Sequence, residues 1–99
     1  MTVILLCAND GQRLIPVEGL KNIYYRCPYF YRENRPKNMS PCNNRMSLAR
    51  VDMIKRDVKT RYINKELESG KNYICGHISY ELARVTDKHI TVYVRRMDG

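Results

Sequence analysis

Tryptophan is absent from this chain and phenylalanine occurs once, whereas tyrosine occurs 8 times. Nearly all of the aromatic bulk therefore carries a hydroxyl that needs a hydrogen-bond partner or water, and the core it builds is modest. Long apolar runs are missing as well: nothing approaches the ~20 residues of a membrane-spanning helix. The stretch Val3-Ile4-Leu5-Leu6 has neither the basic flank nor the length of a secretory signal. These absences predict a cytoplasmic protein with no membrane role. There is also no glycine-rich phosphate loop, no Gly-x-Ser-x-Gly elbow, no His-Glu-x-x-His pair and no paired-carboxylate arrangement. That argues against an enzyme and leaves no small-molecule substrate in view. The one dyad-like arrangement is Cys75 with His77, and a thiolate activated that way needs a formed pocket.

What the chain does contain suits a single domain, 1–99, because a second unit within 99 residues would not bury enough apolar surface to offset its own chain entropy. The pattern predicts an α+β fold. Residues 2–6, 13–17 and 22–26, separated by Asn9-Asp10-Gly11 and Glu18-Gly19, read as an N-terminal β-meander over 1–26. Residues 27–46 hold three of the four prolines, Pro28, Pro36 and Pro41, together with Asn34, Asn38, Asn43 and Asn44, which favours turns over regular structure. A loop of that length inside a small domain calls for an anchor.

Ser47 is a plausible N-cap, and no Gly or Pro comes after it until Ser69-Gly70, so one long helix is expected over 47–69. Leu48, Val51, Ile54, Val58 and Tyr62 would line its buried face, with Lys55 inside the same arc. From residue 72 to 96 the period becomes two. Ile74, Ile78, Tyr80 and Leu82 on one strand and Ile90, Val92 and Val94 on the next predict a C-terminal β-hairpin that turns near Thr86-Asp87-Lys88 and packs on the helix. That alternation places Cys75, His77, Ser79 and Glu81 together on the opposite face.

In a reducing compartment, Cys7, Cys27, Cys42 and Cys75 are more naturally metal ligands or free thiols than disulfides. Cys7-Ala-Asn-Asp10-Gly11 and Cys27-Pro28-Tyr29-Phe30 each resemble half of a zinc-ribbon knuckle that lacks its second cysteine. Asp10 can ligate through oxygen, whereas Phe30 cannot. The preferred site is therefore Cys7, Cys27 and Cys42 with either His77 or Cys75 around one Zn2+, stapling meander, loop and hairpin. The competing reading is four reduced thiols packed as small hydrophobes.

The stretch from Cys27 to Pro36, followed by Cys42-Asn-Asn-Arg-Met-Ser47, resembles a segment of short zinc-ribbon-like proteins of Firmicutes genomes and mobile elements. The resemblance covers about half of the chain. It implies that Cys7, Cys27 and Cys42 act as one group, with the N-terminal part a degenerate zinc ribbon, and it brings no activity with it.

Charge is the second constellation. Lys and Arg number 18 against 10 Asp and Glu, for a formal net charge of +8. Arg50, Lys55, Arg56, Lys59 and Arg61 mark the helix, and Arg32 and Arg35 are interleaved with Tyr29 and Tyr31 in the loop. Basic side chains neutralise phosphates and tyrosines stack on unpaired bases, so the mixture points to nucleic acid, single strands or RNA in particular. The alternatives are a solvated helix face braced by Asp52 with Arg56 and Asp57 with Arg61, or an interaction adaptor whose basic surface meets an acidic protein partner.

Overall fold

A computed structural model describes residues 1–97, so the last two residues of the 1–99 span lie outside the described residues. The strands are β1 (Thr2–Cys7), β2 (Ile15–Glu18), β3 (Ile23–Arg26), β4 (Arg45–Ser47), β5 (Asn72–Cys75), β6 (Ile78–Val85) and β7 (His89–Arg96), with one helix, α1 (Leu48–Ile63), after β4. N-terminal strands, a single helix and C-terminal strands make the α+β architecture. No helix among the described residues is long and apolar enough to cross a membrane.

Two sheets form, with strand orders β1-β7-β6-β5 and β2-β3-β4. The N-terminal strands lie where the pattern placed them, but β1 does not continue a ladder into β2; an isolated bridge between Leu6 and Arg13 is the link. Instead β1 runs parallel to β7, with Thr2 opposite His89 and Cys7 opposite Val94. The partner choice has a chemical cause. Val3, Leu5 and Cys7 are buried on one face of β1 while Ile4 and Leu6 are half-buried on the other, and such a strand gains most beside another apolar one. β7 supplies Ile90, Val92 and Val94, all fully buried. β2 is short, only partly buried and carries Pro16, which donates nothing to a ladder and suits the edge it occupies. The third strand of that sheet is β4, delivered by the far end of the proline-rich loop. The loop itself contains two 3-10 turns, Pro28–Phe30 and Arg32–Asn34.

α1 begins as expected: the Ser47 hydroxyl accepts the Arg50 amide at 3.3 Å. It stops earlier than the Ser69-Gly70 signal. Lys65 adopts φ 59°, its amide donates to Tyr62 O at 3.1 Å, and the Glu66 amide donates to Arg61 O at 2.8 Å. Those two bonds close a Schellman motif with lysine where glycine is usual. Replacing Lys65 by glycine removes the left-handed penalty at that position. Lys65→Gly is expected to raise stability by about 0.5–1 kcal/mol, read as a Tm higher by a few degrees in thermal denaturation; an unchanged or lower Tm contradicts the cap. The apolar stripe is also narrower than the spacing suggests. Val51, Ile54 and Val58 are fully buried, while Leu48 and Tyr62 remain 39% and 40% exposed, so only the middle of the helix is covered.

The C-terminal segment is a three-stranded meander rather than one hairpin. Gly76 takes φ 63° and forms a two-residue turn with His77, pairing Cys75 with Ile78 and Tyr73 with Tyr80. The turn reverses the expected facing: Ile74 is 61% exposed, while Tyr73 joins Ile78 and Tyr80 in the core. Cys75 packs against that core from its edge. The buried tyrosines find the partners their hydroxyls require. Tyr80 donates to the Asp57 carboxylate, and Tyr73 donates to Glu66 O at 2.6 Å. Burial, reinforced by the Asp57 carboxylate, pushes the Tyr80 hydroxyl pKa up.

Candidate metal centre

Because side chains alternate along β1, Cys7 ends that strand on the buried face. The chain then reverses. The Cys7 amide donates to Gln12 O and the Gly11 amide to Cys7 O, both at 2.7 Å, and Gly11 supplies the φ of +78° that the reversal needs. Within this turn the Asn9 amide donates to the Cys7 sulfur, and Asp10 Oδ1 accepts the Gln12 amide at 3.0 Å. Cys27 opens a second turn after β3. The Phe30 amide donates to Cys27 O at 3.1 Å, and the Tyr29 amide donates to the Cys27 sulfur. Each cysteine thus receives an amide from the residue two positions on. Cys42 comes from the proline-rich loop, held by its amide to Tyr29 O at 3.3 Å. The anchor the loop called for is here.

Cys7, Asp10, Cys27 and Cys42 present one ligand atom each, all within 4.8 Å of one another. Cys7 Sγ and Cys42 Sγ stand 3.6 Å apart, close to the ~3.8 Å edge of a tetrahedron with Zn–S bonds of about 2.3 Å. The Cys27 thiol donates to both Asp10 carboxylate oxygens at 3.3 and 3.1 Å. Cys7 and Cys27 are fully buried and Cys42 is 7% exposed, while Asp10 is half-buried, so the three sulfurs are shielded and the carboxylate stands at the edge of the cluster.

Electrostatically the thiols resist ionising by themselves. Burial raises the pKa of Cys7 and of Cys27, the latter helped by its hydrogen bond to Asp10. Donors are already aimed at the sulfurs, however. Asn44 Nδ2 donates to Cys7 Sγ at 3.2 Å and to Val94 O at 2.9 Å, and Asn9 Nδ2 donates to Cys42 Sγ at 3.6 Å. A carboxylate and three thiols with N–H donors behind them form a soft, anionic set suited to a tetrahedral cation. An apolar cluster of cysteines would not bring a carboxylate against a buried thiol.

Three of the expected ligands therefore converge, and Asp10 stands beside them where the strand pattern favours His77 or Cys75. Those two flank the Gly76 turn and border a small cavity of about 210 Å³ with Arg50 and Met53. The turn that reverses the facing of β5 carries them away from the other cysteines. Asn44 is not legible as a contributor, since in sequence it is one of several loop asparagines. Truncating it to alanine is expected to weaken metal affinity by about 10- to 100-fold in a chelator competition, with one ion still bound; unchanged affinity would show that its hydrogen bond to Cys7 is idle.

The basic residues divide. Arg61 pairs with Asp57 at 3.1 Å, as expected, and with Glu66 at 3.7 Å, and lies 4.8 Å from the Tyr73 ring centre. Arg35 donates to Phe30 O at 2.9 Å, Lys55 lies 5.8 Å from the Tyr25 ring centre, and Tyr31 packs edge-on to Phe30 at 5.3 Å. Tyr29 packs against the core. These residues brace the fold, whereas Arg32, Arg56 and Lys59 are partly or fully exposed and Arg50 is half-buried in the first turn of α1. Comparison with protein-family models, curated proteins and solved structures finds no match to this chain.

Proposed function

We propose that the protein is a small zinc-stabilised basic module that contacts nucleic acid. One observation carries the reading: three cysteines and an aspartate from distant parts of the chain meet within 4.8 Å. Its three sulfurs are buried and four protein ligands are present, which favours a structural ion over a catalytic one. Zinc suits it because a d10 ion accepts the tetrahedral arrangement without preference of its own and binds both thiolate and carboxylate. A net charge of +8 supports nucleic acid as the partner class.

Elemental analysis of the purified protein tests the metal. One equivalent of zinc per chain is the expected result, and protein that folds with no bound metal overturns the reading. Retention on immobilised nucleic acid that falls as salt rises tests the second half.

A further inference from the structure

Arginines also line clefts away from the outer face of α1, where β4, the start of the helix and the end of β7 meet. β7 keeps Ile90, Val92 and Val94 on the buried face, and continuing the same alternation past the core brings Arg96 to that side and Arg95 to the other. Arg96 therefore reaches the junction with β4, where a cleft of about 150 Å³ is lined by Tyr24, Arg45, Ser47, Arg50 and Arg96. A second cleft of about 230 Å³ shares Arg96 and adds Arg95, Asn9, Asn43 and Asn44. The Arg45 guanidinium stands 5.3 Å from the Tyr24 ring centre, so it is stacked and partly pre-ordered. Behind the first cleft lies the positive end of the α1 dipole, which adds to the arginines' field.

Resting on the nucleic-acid reading above, we infer that these two adjoining clefts form one groove for a single strand of nucleic acid, with the exposed Arg45 and Arg95 meeting phosphates. Concave charge of this kind tracks a flexible backbone, whereas a duplex major groove is entered by a protruding helix or ribbon. Tyr24 offers a ring at the groove and Asn43 an amide, chemistry that suits unpaired bases. The groove is also tied to the metal centre. Asn9 and Asn44 line it while donating to the sulfurs of Cys42 and Cys7, so an ion held by those sulfurs would also order the floor of the groove.

Fluorescence anisotropy with labelled single-stranded RNA and DNA and a duplex control, using zinc-loaded protein over a salt series, tests this. Arg45→Ala with Arg95→Ala removes one exposed guanidinium from each cleft, and metal content and Tm confirm folding. Single strands are expected to bind better than duplex, and the double variant to bind about 10- to 100-fold more weakly, with a salt slope smaller by roughly 1.4, about 0.7 per lost phosphate contact. Arg56→Ala with Lys59→Ala on the outer face of α1 is expected to change little. Loss in the helix variant with full binding in the cleft variant overturns the groove and leaves the nucleic-acid reading standing. No binding of any oligonucleotide at low salt overturns both, and tighter binding to polyglutamate than to oligonucleotide overturns both in favour of an acidic protein partner.

Discussion

Chelating the metal at neutral pH is expected to abolish the cooperative thermal unfolding of this protein, and returning one equivalent of Zn2+ to restore it. The size of the effect follows from the elements that an ion at this site would join. Cys7 closes β1, Asp10 lies in the turn after it, Cys27 comes directly after β3 and Cys42 is in the proline-rich loop, so the site links both sheets and the loop. Structural zinc sites contribute about 10–16 kcal/mol near neutral pH, comparable with or larger than the ~5–15 kcal/mol that separates a typical domain from its unfolded state. Cys7→Ser and Cys27→Ser should each behave like the chelated protein, and Cys75→Ser should keep both metal and Tm. Because burial holds the Cys7 and Cys27 thiols protonated in the metal-free state, binding releases protons and affinity falls as the pH is lowered. Equal Tm values with and without chelator would refute the stapling role.

The second large effect is expected from Ile54→Ala. Ile54 is 0% solvent-accessible and sits between Val51 and Val58 on the only covered stretch of α1. Removing its outer carbons from so narrow a stripe leaves a cavity that the neighbouring β-branched side chains fill poorly. The cost is about 2–5 kcal/mol, measured by urea unfolding of the zinc-loaded protein, with metal stoichiometry unchanged. Leu48→Ala, in the same sequence period but 39% exposed, should cost far less. Equal losses at the two positions would show that the helix is covered along its whole length.

How much is legible depends on the range over which each signal acts. Ser47 capping the helix and Thr86 organising the β6–β7 turn, where its hydroxyl accepts the His89 amide at 3.0 Å, are contacts within a few residues, and local chemistry specifies them. The end of α1 is also local, yet lysine at the left-handed position of a Schellman cap carries no marker comparable with the glycine that usually stands there. Gly76 is a single glycine amid strand-forming residues, so the apolar alternation runs straight through it and hides the turn. Since side chains alternate with period two, that one turn changes the facing of Ile74 and Cys75 together.

Composition and spacing alone determined the class of fold, the capped helix with its central apolar positions, the strand-rich ends and the excess of positive charge. Tertiary structure decided that β1 pairs with β7, that Asp10 rather than Cys75 or His77 stands beside the three cysteines, and that arginines from β4, α1 and β7 line adjoining clefts. The division has a physical cause. Propensity and periodicity act between neighbours in the chain, whereas the company a sulfur or a guanidinium keeps depends on which distant strands find each other's apolar faces, and that choice is made by the whole core at once.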